Sequence, residues 1–399
     1  VLRVAVLSFA ALAVAAAATS GASGGEITDS QRKWLLEVSR TGKIPAEAWP
    51  QLSSSQLSAV EAKAELYLAT FLRNHFFHDL SVDVFWTDKT KTKISTYDDV
   101  GDSACWSGHA LAGMAHKYNV THDASVVTQI RASLSAFERL VTTTGREGYM
   151  ARYDGPSDDP AYYAYYHGSD HAYPSKKFAN HTWLGSESRD QYLGAGLGFA
   201  SVLHLVQDVP DVQATVRKLV ETVADRLIDD YWWIVSPQPE LPVNPTPGFI
   251  AAWMRLAMTA NPDKYAEVFL PGQYAATLRV SAAVEMTISG KFADSYYPNN
   301  LCIISMYIVA LLETDPSLRS LMAEKLRSVA LEQGLDHLTA TFYVFYLAAT
   351  RALKDSATRQ DSGVLAARGL VQGLLADFPD APRMAHATDQ SFNPEYMPH

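Results

Sequence analysis

The chain has 399 residues, of which 48% are hydrophobic and 19% are charged, and its formal net charge at pH 7 is −10. This composition is typical of a folded protein with a large core, and the acidic balance without any basic run argues against nucleic acid or an anionic membrane as a partner. No low-complexity linker divides the chain. We therefore expect one large domain over residues 26–376, followed by an irregular tail over residues 377–399.

Residues 1–25 have the pattern of an export signal. Arg3 supplies a positive start, an apolar run follows, and Ala16 and Ala18 fit an A-x-A cleavage site. The run is too short for a spanning helix, and no later stretch is long enough to cross a bilayer. The alternative is a buried first helix. The signal predicts a secreted or periplasmic protein that has no membrane contact once the signal is removed.

One unit is repeated four times along the chain: a short polar segment, a helix of small apolar residues, a turn with Asp, Asn or Pro, and an amphipathic helix. The polar segments, called polar knots here, are residues 98–103, 186–191, 242–248 and 296–300. The predicted apolar helices are 104–116, 192–206, 249–260 and 301–312. The predicted amphipathic helices are 125–142, 212–228, 265–289, which Pro271 interrupts, and 318–331.

Further helices are predicted at both ends of this repeat. A short helix is expected over residues 31–40 and a longer one over residues 52–78. A fifth hairpin is expected over residues 338–353 and 363–375. Residues 79–93 suit a short strand or a loop. Residues 145–185 and 229–247 are long aromatic segments that we expect to be loops, and loops of this length in a compact domain are often functional.

The helical hairpins predict an all-α fold with two layers. The first helix of each pair is apolar all round and belongs in an inner layer, whereas the second is charged on one side, as an outer helix is. Repeated hairpins of this kind stack into a solenoid or close into a ring. We predict an (α/α)n toroid of five to six hairpins with long aromatic loops at one end.

Over roughly residues 50–376, this pattern, together with the polar knots around Asp102 and Asp190, resembles the α/α-toroid carbohydrate-active enzymes. That superfamily includes glycoside hydrolases, polysaccharide lyases and sugar epimerases. The resemblance implies an active site in a cleft at one end of the barrel, on loops that lead into the inner helices. It also implies a carbohydrate substrate.

Two carboxylates stand directly before or inside the start of an inner helix. Hydrolysis of a glycosidic bond needs a proton donor and a second carboxylate that activates water or attacks carbon, so Asp102 and Asp190 are the candidate pair for a glycoside hydrolase. The alternative is that Asp102 and Ser103 are ordinary helix caps. Capping is a less natural role for Asp190, because Ser186 or Ser188 can fill it.

A polysaccharide lyase is the second hypothesis. Arg152 and Arg189 can bind the carboxylate of a uronic acid, and each can instead pair with a loop carboxylate such as Asp154 or Asp170. A lyase also needs a proton donor and acceptor, for which Tyr192, Tyr153, His109 and His181 are the candidates. A third hypothesis is a non-catalytic toroid that binds a glycan or a protein partner.

Aromatic and amide side chains cluster at the knots. Aromatic rings stack on sugar rings, while indole nitrogens, hydroxyls and amides hydrogen-bond to sugar hydroxyls. The alternative for several of them is packing of the loops onto the barrel. The predicted substrate-binding residues are Trp106, His109, Tyr153, His181, Trp183, Trp232, Asn244, Tyr297, Asn299, Asn300 and His337.

No cofactor and no metal are predicted. His75 and His78 lie three residues apart, and His167, Asp170 and His171 are close in sequence, but no His-Glu-x-x-His motif is present. Phosphate-loop and nucleophile-elbow motifs are also missing, which disfavours nucleotide-dependent and acyl-transfer chemistry. The two cysteines, Cys105 and Cys302, form either one disulfide or two buried thiols.

Overall fold

The computed structural model describes residues 53–87, 92–97, 100–158, 171–270, 272–291, 296–328 and 344–346. This part of the chain is mostly helical. Its helices are α1 Ser54–Asn74, α2 Ser103–Thr121, α3 Ala124–Leu140, α4 Arg189–Leu205, α5 Pro210–Asp229, α6 Pro247–Ala260, α7 Pro262–Val268, α8 Gln273–Lys291, α9 Tyr296–Leu312 and α10 Pro316–Ser328. The predicted all-α class and the four helical repeats are therefore confirmed at this level.

Short strands form three small antiparallel sheets beside the helices. Strands β1 Phe76–Phe77 and β2 Leu80–Ser81 pair with each other, as do β3 Val84–Trp86 and β4 Ile94–Tyr97. The third sheet has the order β5-β7-β6, built from Asp154–Pro156, His181–Leu184 and Ala172–Pro174. The prediction that residues 145–185 are a loop was wrong on this point, because their described part carries this three-stranded sheet.

Helices α2 and α4 form the centre of the core, and small residues let them touch. Gly108 of α2 lies against the backbone of Gly194 of α4, and Gly198 lies against Gly108 one turn further along. Cys105 at the start of α2 also contacts Gly194. Because contacts advance in the same direction along both chains, the two helices run parallel and begin at the same end.

Helix α6 continues this inner layer. Tyr192 of α4 contacts the rings of Phe249 and Trp253, and Gly196 contacts Leu256, so α6 is also parallel to α4. Helix α9 packs on both α4 and α6. Arg255, near the C-terminal end of α6, forms an ion pair with Glu313, which directly follows α9. The C-terminal ends of these two helices therefore lie together. The polar knots that precede α2, α4 and α6 therefore lie at one end.

The amphipathic helices form the outer layer. Helices α3 and α5 bury one apolar face, which includes Ile130, Phe137, Val216 and Val220, and they pack against α2, α4 and each other. Asp123 caps α3 by accepting the Ser125 amide at 2.8 Å, and Pro210 occupies the first turn of α5. No helix in the described part of the chain combines the length and apolar character that a membrane crossing needs.

Two helix boundaries differ from the predictions in ways that affect the site, and one predicted interruption is confirmed. Helix α4 begins at Arg189, so Asp190 and Gln191 lie in its first turn and not before it. Helix α9 begins at Tyr296, so the knot predicted over residues 296–300 is its first turn. The interruption of the third amphipathic helix is confirmed, since α7 ends at Val268 and α8 begins at Gln273.

Several predictions lie outside the described residues. They are the export signal, the helix over residues 31–40, nearly all of the fifth hairpin, the C-terminal tail, and the stretch that holds His167 and Asp170. His337 lies there as well. The side chains of Tyr297 and Asn299 belong to the first turn of α9 but are not described.

Candidate functional site

The first two knots meet through a single side chain. Gln191, in the first turn of α4, donates from Nε2 to Asp102 Oδ1 at 2.9 Å and to Asp190 Oδ2 at 3.3 Å. Its Oε1 accepts the backbone amide of Cys105 at 3.1 Å, inside the first turn of α2. The amide group of Gln191 therefore connects both predicted carboxylates and both helix ends.

Asp102 occupies the N-cap position of α2, yet its side chain makes no capping hydrogen bond. The carboxylate turns instead toward Gln191 and toward Arg152, whose Nη1 lies 3.4 Å from Oδ1. Its side chain is 38% exposed. This geometry argues against the interpretation that Asp102 is only a helix cap, because the orphan amides of the first turn do not use it.

Arg152 organises the backbone around the two carboxylates. Its Nε donates to Ser186 O at 2.7 Å, its Nη1 donates to Gly101 O at 2.7 Å, and its Nη2 donates to Ser188 Oγ at 3.1 Å. The backbone of Arg152 also joins the start of α2 to the end of β7, through bonds with Ala104 and Leu184. The guanidinium thus holds the two knots together and has few donor positions left for a ligand.

Asp190 lies behind Asp102 and is buried. Ser188, the N-cap residue of α4, makes no capping bond and donates its hydroxyl to Asp190 Oδ1. Ser188 and Gln191, both from the second knot, therefore each donate to one oxygen of the Asp190 carboxylate. Asp190 is held as a hydrogen-bond acceptor.

A third carboxyl, Glu187, lies near Arg152, Asp190 and Glu240. Its side chain is 6% exposed, and neither of its oxygens makes a hydrogen bond of normal geometry. Burial raises the pKa of Glu187 well above its ordinary value; the nearby charges of Asp190 and Glu240 raise it further, and Arg152 lowers it in part. Glu187 was not among the predicted site residues.

Hydrogen bonds connect the aromatic loop between α5 and α6 to the second knot. Glu240 accepts the backbone amide of Ser186 at 3.0 Å and the hydroxyl of Tyr173 at 3.0 Å. Partial burial raises the pKa of Glu240, but hydrogen bonds from Ser236, Ser186, Tyr173 and His171 together lower it below its ordinary value. Arg189 donates to the backbone oxygen of Asn244 at 3.1 Å. The third knot therefore lies next to the second, as the repeat predicted.

Most of the predicted aromatic residues are buried. Tyr153, Trp183 and Tyr192 are almost fully enclosed, and Trp106 is nearly so. The hydroxyl of Tyr192 accepts the amide of Met150 at 3.0 Å, and burial raises its pKa. In this arrangement these rings pack the loops and offer no face to a sugar.

Two exposed aromatic rings border the predicted Trp232. Tyr231 is 84% exposed and Trp233 is 42% exposed, whereas Trp232 is partly buried and stacks on Phe269. Tyr231 and Trp232 both have left-handed backbone conformations, with φ of 54° and 71°. Such a conformation is strained for bulky residues, and strain of this kind often marks a functional loop.

The two predicted histidines have separate surroundings. His109 is fully buried, its Nδ1 lies 2.9 Å from Cys105 O, and burial lowers its pKa to about 4. It is therefore neutral near pH 7. His181 lies away from the knots on β7, where its Nδ1 is 2.9 Å from the buried Asp154. Asp154 also accepts the Thr143 hydroxyl at 2.5 Å and does not pair with Arg152 as one hypothesis expected.

The remaining predictions concern amides, metals and cysteines. Asn300 is buried in α9, and its Oδ1 has no hydrogen-bond partner. Among the described residues, no group of three or more His, Cys, Asp or Glu side chains is arranged to hold a metal ion. Cys105 and Cys302 are both buried thiols and do not form a disulfide.

The sequence predicted Asp102, Asp190, Arg152, Arg189 and Asn244 at one end, and the structure brings them together. It did not single out Gln191, Ser188, Glu187 or Glu240, which connect or flank them. The available signal was the density of polar residues in the second knot, where residues 186–191 are polar without interruption. An interior helix start with six polar residues is more than capping requires.

The chain matches no protein-family model, no curated protein and no solved structure. The carbohydrate-active superfamily that its helical pattern resembles therefore stays a prediction. What can be inferred about function depends on the chemistry of the residues around Asp102 and Asp190.

Proposed function

We propose that the protein is an exported glycoside hydrolase that cleaves a neutral poly- or oligosaccharide and uses Asp102 and Asp190 as its paired carboxylates. The observation that carries this proposal is the amide of Gln191, which donates to both carboxylates within one hydrogen-bond network. Glycosidic hydrolysis needs a carboxylate that activates water or attacks the sugar carbon, and two neighbouring carboxylates at one end of a helical layer can supply it.

Asp102 and Asp190 differ in exposure, and this difference suits separate tasks. Asp102 is partly exposed and can meet a substrate or water directly, whereas Asp190 is buried and oriented by Ser188. Groups held in place by hydrogen bonds need little reorganisation during a reaction. We expect one of the two to activate or replace the attacking water.

The arginines favour a neutral sugar over a uronic acid. Arg152 is committed to Gly101, Ser186 and Ser188, so it is poorly placed to bind a substrate carboxylate. Arg189 uses Nη1 to bind the backbone of Asn244 and commits fewer donors than Arg152 does, but the carboxyl groups of Asp102, Asp190 and Glu240 contact residues of the same knot, next to Arg189 in sequence. A polysaccharide lyase that neutralises a uronic acid through Arg189 is the alternative within the same superfamily.

The proposed scaffold is an α/α toroid. Its support is that the inner helices α2, α4 and α6 are parallel, and that His116 of α2 reaches Tyr307 of α9 at 3.2 Å. The inner helices of the first and fourth repeats thus touch, which supports one continuous inner layer. Exposed Tyr231 and Trp233 would then lie on a loop at the open end, where they suit a sugar chain.

The test is incubation with a panel of neutral and uronic-acid glycans, with two readouts. New reducing ends alone indicate a hydrolase. Reducing ends together with ultraviolet absorbance from an unsaturated product indicate a lyase, and binding without either product indicates a non-catalytic glycan-binding protein. Both of the last two results contradict the proposal.

The matched variants are Asp190→Asn and Asp263→Asn. Asp263 is an exposed carboxylate in the first turn of α7, away from the knots. We expect Asp190→Asn to lower kcat/KM at least about 1000-fold and Asp263→Asn to leave it unchanged. Full activity of Asp190→Asn would overturn the assignment.

A further inference from the structure

Hydrolysis needs a protonated group, and the proposed carboxylate pair does not provide an obvious one. Asp102 and Asp190 both accept hydrogen bonds from the amide of Gln191, and Asp102 also faces the guanidinium of Arg152. Both carboxylates are thus engaged as hydrogen-bond acceptors. A third carboxyl beside them can supply the proton that a departing sugar oxygen requires.

Glu187 has the environment of a proton-holding carboxyl. It precedes Asp190 by three residues, it is enclosed, and neither oxygen has a hydrogen-bond partner of normal geometry. A carboxylate that is buried with so little hydrogen bonding is costly, so such a group tends to take up a proton. The charges of Asp190 and Glu240 favour the same outcome, whereas Arg152 opposes it through its charge and a backbone hydrogen bond.

The surroundings of Glu187 leave a further polar group without a partner. The ring of Trp183 lies edge-to-face against Tyr149 at 6.2 Å, and its Nε1 has no acceptor. Tyr149 is in turn close enough for the charge of Glu187 to raise its pKa. Buried polar groups in native proteins nearly always have partners, so a carboxyl and an indole donor that both lie near Tyr149 and lack good partners point to a bound water or a substrate hydroxyl.

We propose that Glu187 is the proton donor of this site, which rests on the proposed hydrolase function. As the glycosidic C–O bond breaks, its electron pair goes to the leaving oxygen, which takes the Glu187 proton directly or through one water. Water adds to the sugar carbon and gives its proton to one of the paired carboxylates, Asp102 or Asp190. The products are two sugars, and solvent returns the proton to Glu187 before the next turnover.

The isosteric variant Glu187→Gln tests this role. It keeps size and neutrality but cannot give up a proton. We expect kcat/KM on a natural neutral glycan to fall at least about 100-fold, which is the usual contribution of a general acid. On an aryl glycoside that releases an acidic phenol, we expect a much smaller loss, because such a leaving group departs without protonation.

The control is Glu138→Gln, which changes a partly exposed carboxyl of α3 in a groove that contains no knot residue. It should retain wild-type rates on both substrates. The Glu187 assignment is overturned if Glu187→Gln cleaves the natural glycan normally or loses equal activity on both substrates. A wild-type protein that hydrolyses no glycan would instead overturn the proposed function itself.

Discussion

Gly108 and Gly194 are in direct backbone contact, and this contact sets the distance between α2 and α4. A Cβ atom at Gly108 would overlap the carbonyl oxygen of Gly194, and one at Gly194 would lie 2.5 Å from Cys105 O. The bridge from Gln191 to Asp102 and Cys105 spans the same two helices at their N-terminal ends. The close approach of the two helices is therefore a condition for the geometry of the site.

Gly108→Ala should separate α2 from α4. Because the overlap is with backbone, no side chain can move to relieve it, and we expect the free energy of unfolding to fall by about 3 kcal/mol, at the upper end of overpacking costs. Urea denaturation measures this loss. Gly196→Ala is the control, since its nearest obstacle is the flexible Leu256 Cδ1 at 3.2 Å, and an equal loss in both variants would contradict the interpretation.

Glu187→Gln should change how stability depends on pH. The folded pKa of Glu187 is raised above its ordinary value near 4.5, so its contribution to stability is complete below that pH and is lost as pH rises toward the folded pKa. The wild type should therefore lose up to about 1.4 kcal/mol per pH unit relative to the Gln variant over this window. Paired urea titrations between pH 4 and pH 8 measure the difference.

The outcome also separates a functional from a structural carboxyl. A residue kept for chemistry at a cost in stability should give a more stable protein when it is replaced by Gln. If Glu187→Gln is instead less stable than the wild type at pH 8, Glu187 is ionised and stabilising in the folded protein, contrary to the interpretation of its burial.

The ion pair between Arg255 and Glu313 should stabilise the C-terminal ends of α6 and α9, at the end of the helical layer away from the knots. Glu313 is buried and accepts Arg255 Nη1 at 3.4 Å, the Tyr274 hydroxyl at 2.6 Å and the Thr314 amide at 2.7 Å. Glu313→Ala leaves the buried guanidinium uncompensated and should lower the free energy of unfolding by about 3–5 kcal/mol.

A double-mutant cycle that combines Glu313→Ala with Tyr274→Phe measures how much of this loss comes from the Tyr274 hydrogen bond. We expect a coupling energy of about 1–2 kcal/mol between Tyr274 and Glu313, as is usual for a hydrogen bond to a charged group. Burial and the Glu313 charge also raise the pKa of Tyr274, so the phenol donates throughout the physiological range. Zero coupling would mean that the two side chains do not interact in the folded protein.

The two cysteines should resist labelling in the native protein. Cys105 and Cys302 are both buried, and burial together with the charges of Asp190 and Asp102 raises the pKa of Cys105 well above its ordinary value. Since the thiolate is the reactive form, an aromatic disulfide reagent should modify neither residue until the protein is denatured, when it should modify both. Rapid native labelling of Cys105 would contradict its enclosed position.

The repeated helices could be predicted because the difference between apolar and amphipathic patterns is strong. The boundaries at Arg189 and Tyr296 could not, since polar residues and Pro298 are tolerated in a first helical turn, where amides need no intrahelical acceptor. Strand β7 was missed because a four-residue segment has too little periodicity. The site's carboxylates were predicted from their place before apolar helices, whereas the role of Gln191 depends on a contact 89 residues away in sequence.

The burial of the aromatic residues could not be predicted either. Trp183 and Tyr153 belong to the segment that folds over α2 and α4, so their position depends on the small sheet and not on the knots. The sequence showed that aromatic residues are concentrated near one end. It could not distinguish those that face solvent, such as Tyr231, from those that pack beneath them.

The parallel course of α2 and α4 has an electrostatic consequence. Each helix carries roughly half a positive charge at its N-terminal end, and two such ends held side by side repel each other. Asp102 and Asp190 lie at these two ends and supply the negative charge that offsets the repulsion. The groups proposed to react therefore also hold the two helix ends together, so a variant that neutralises both should loosen this end of the fold as well as stop catalysis.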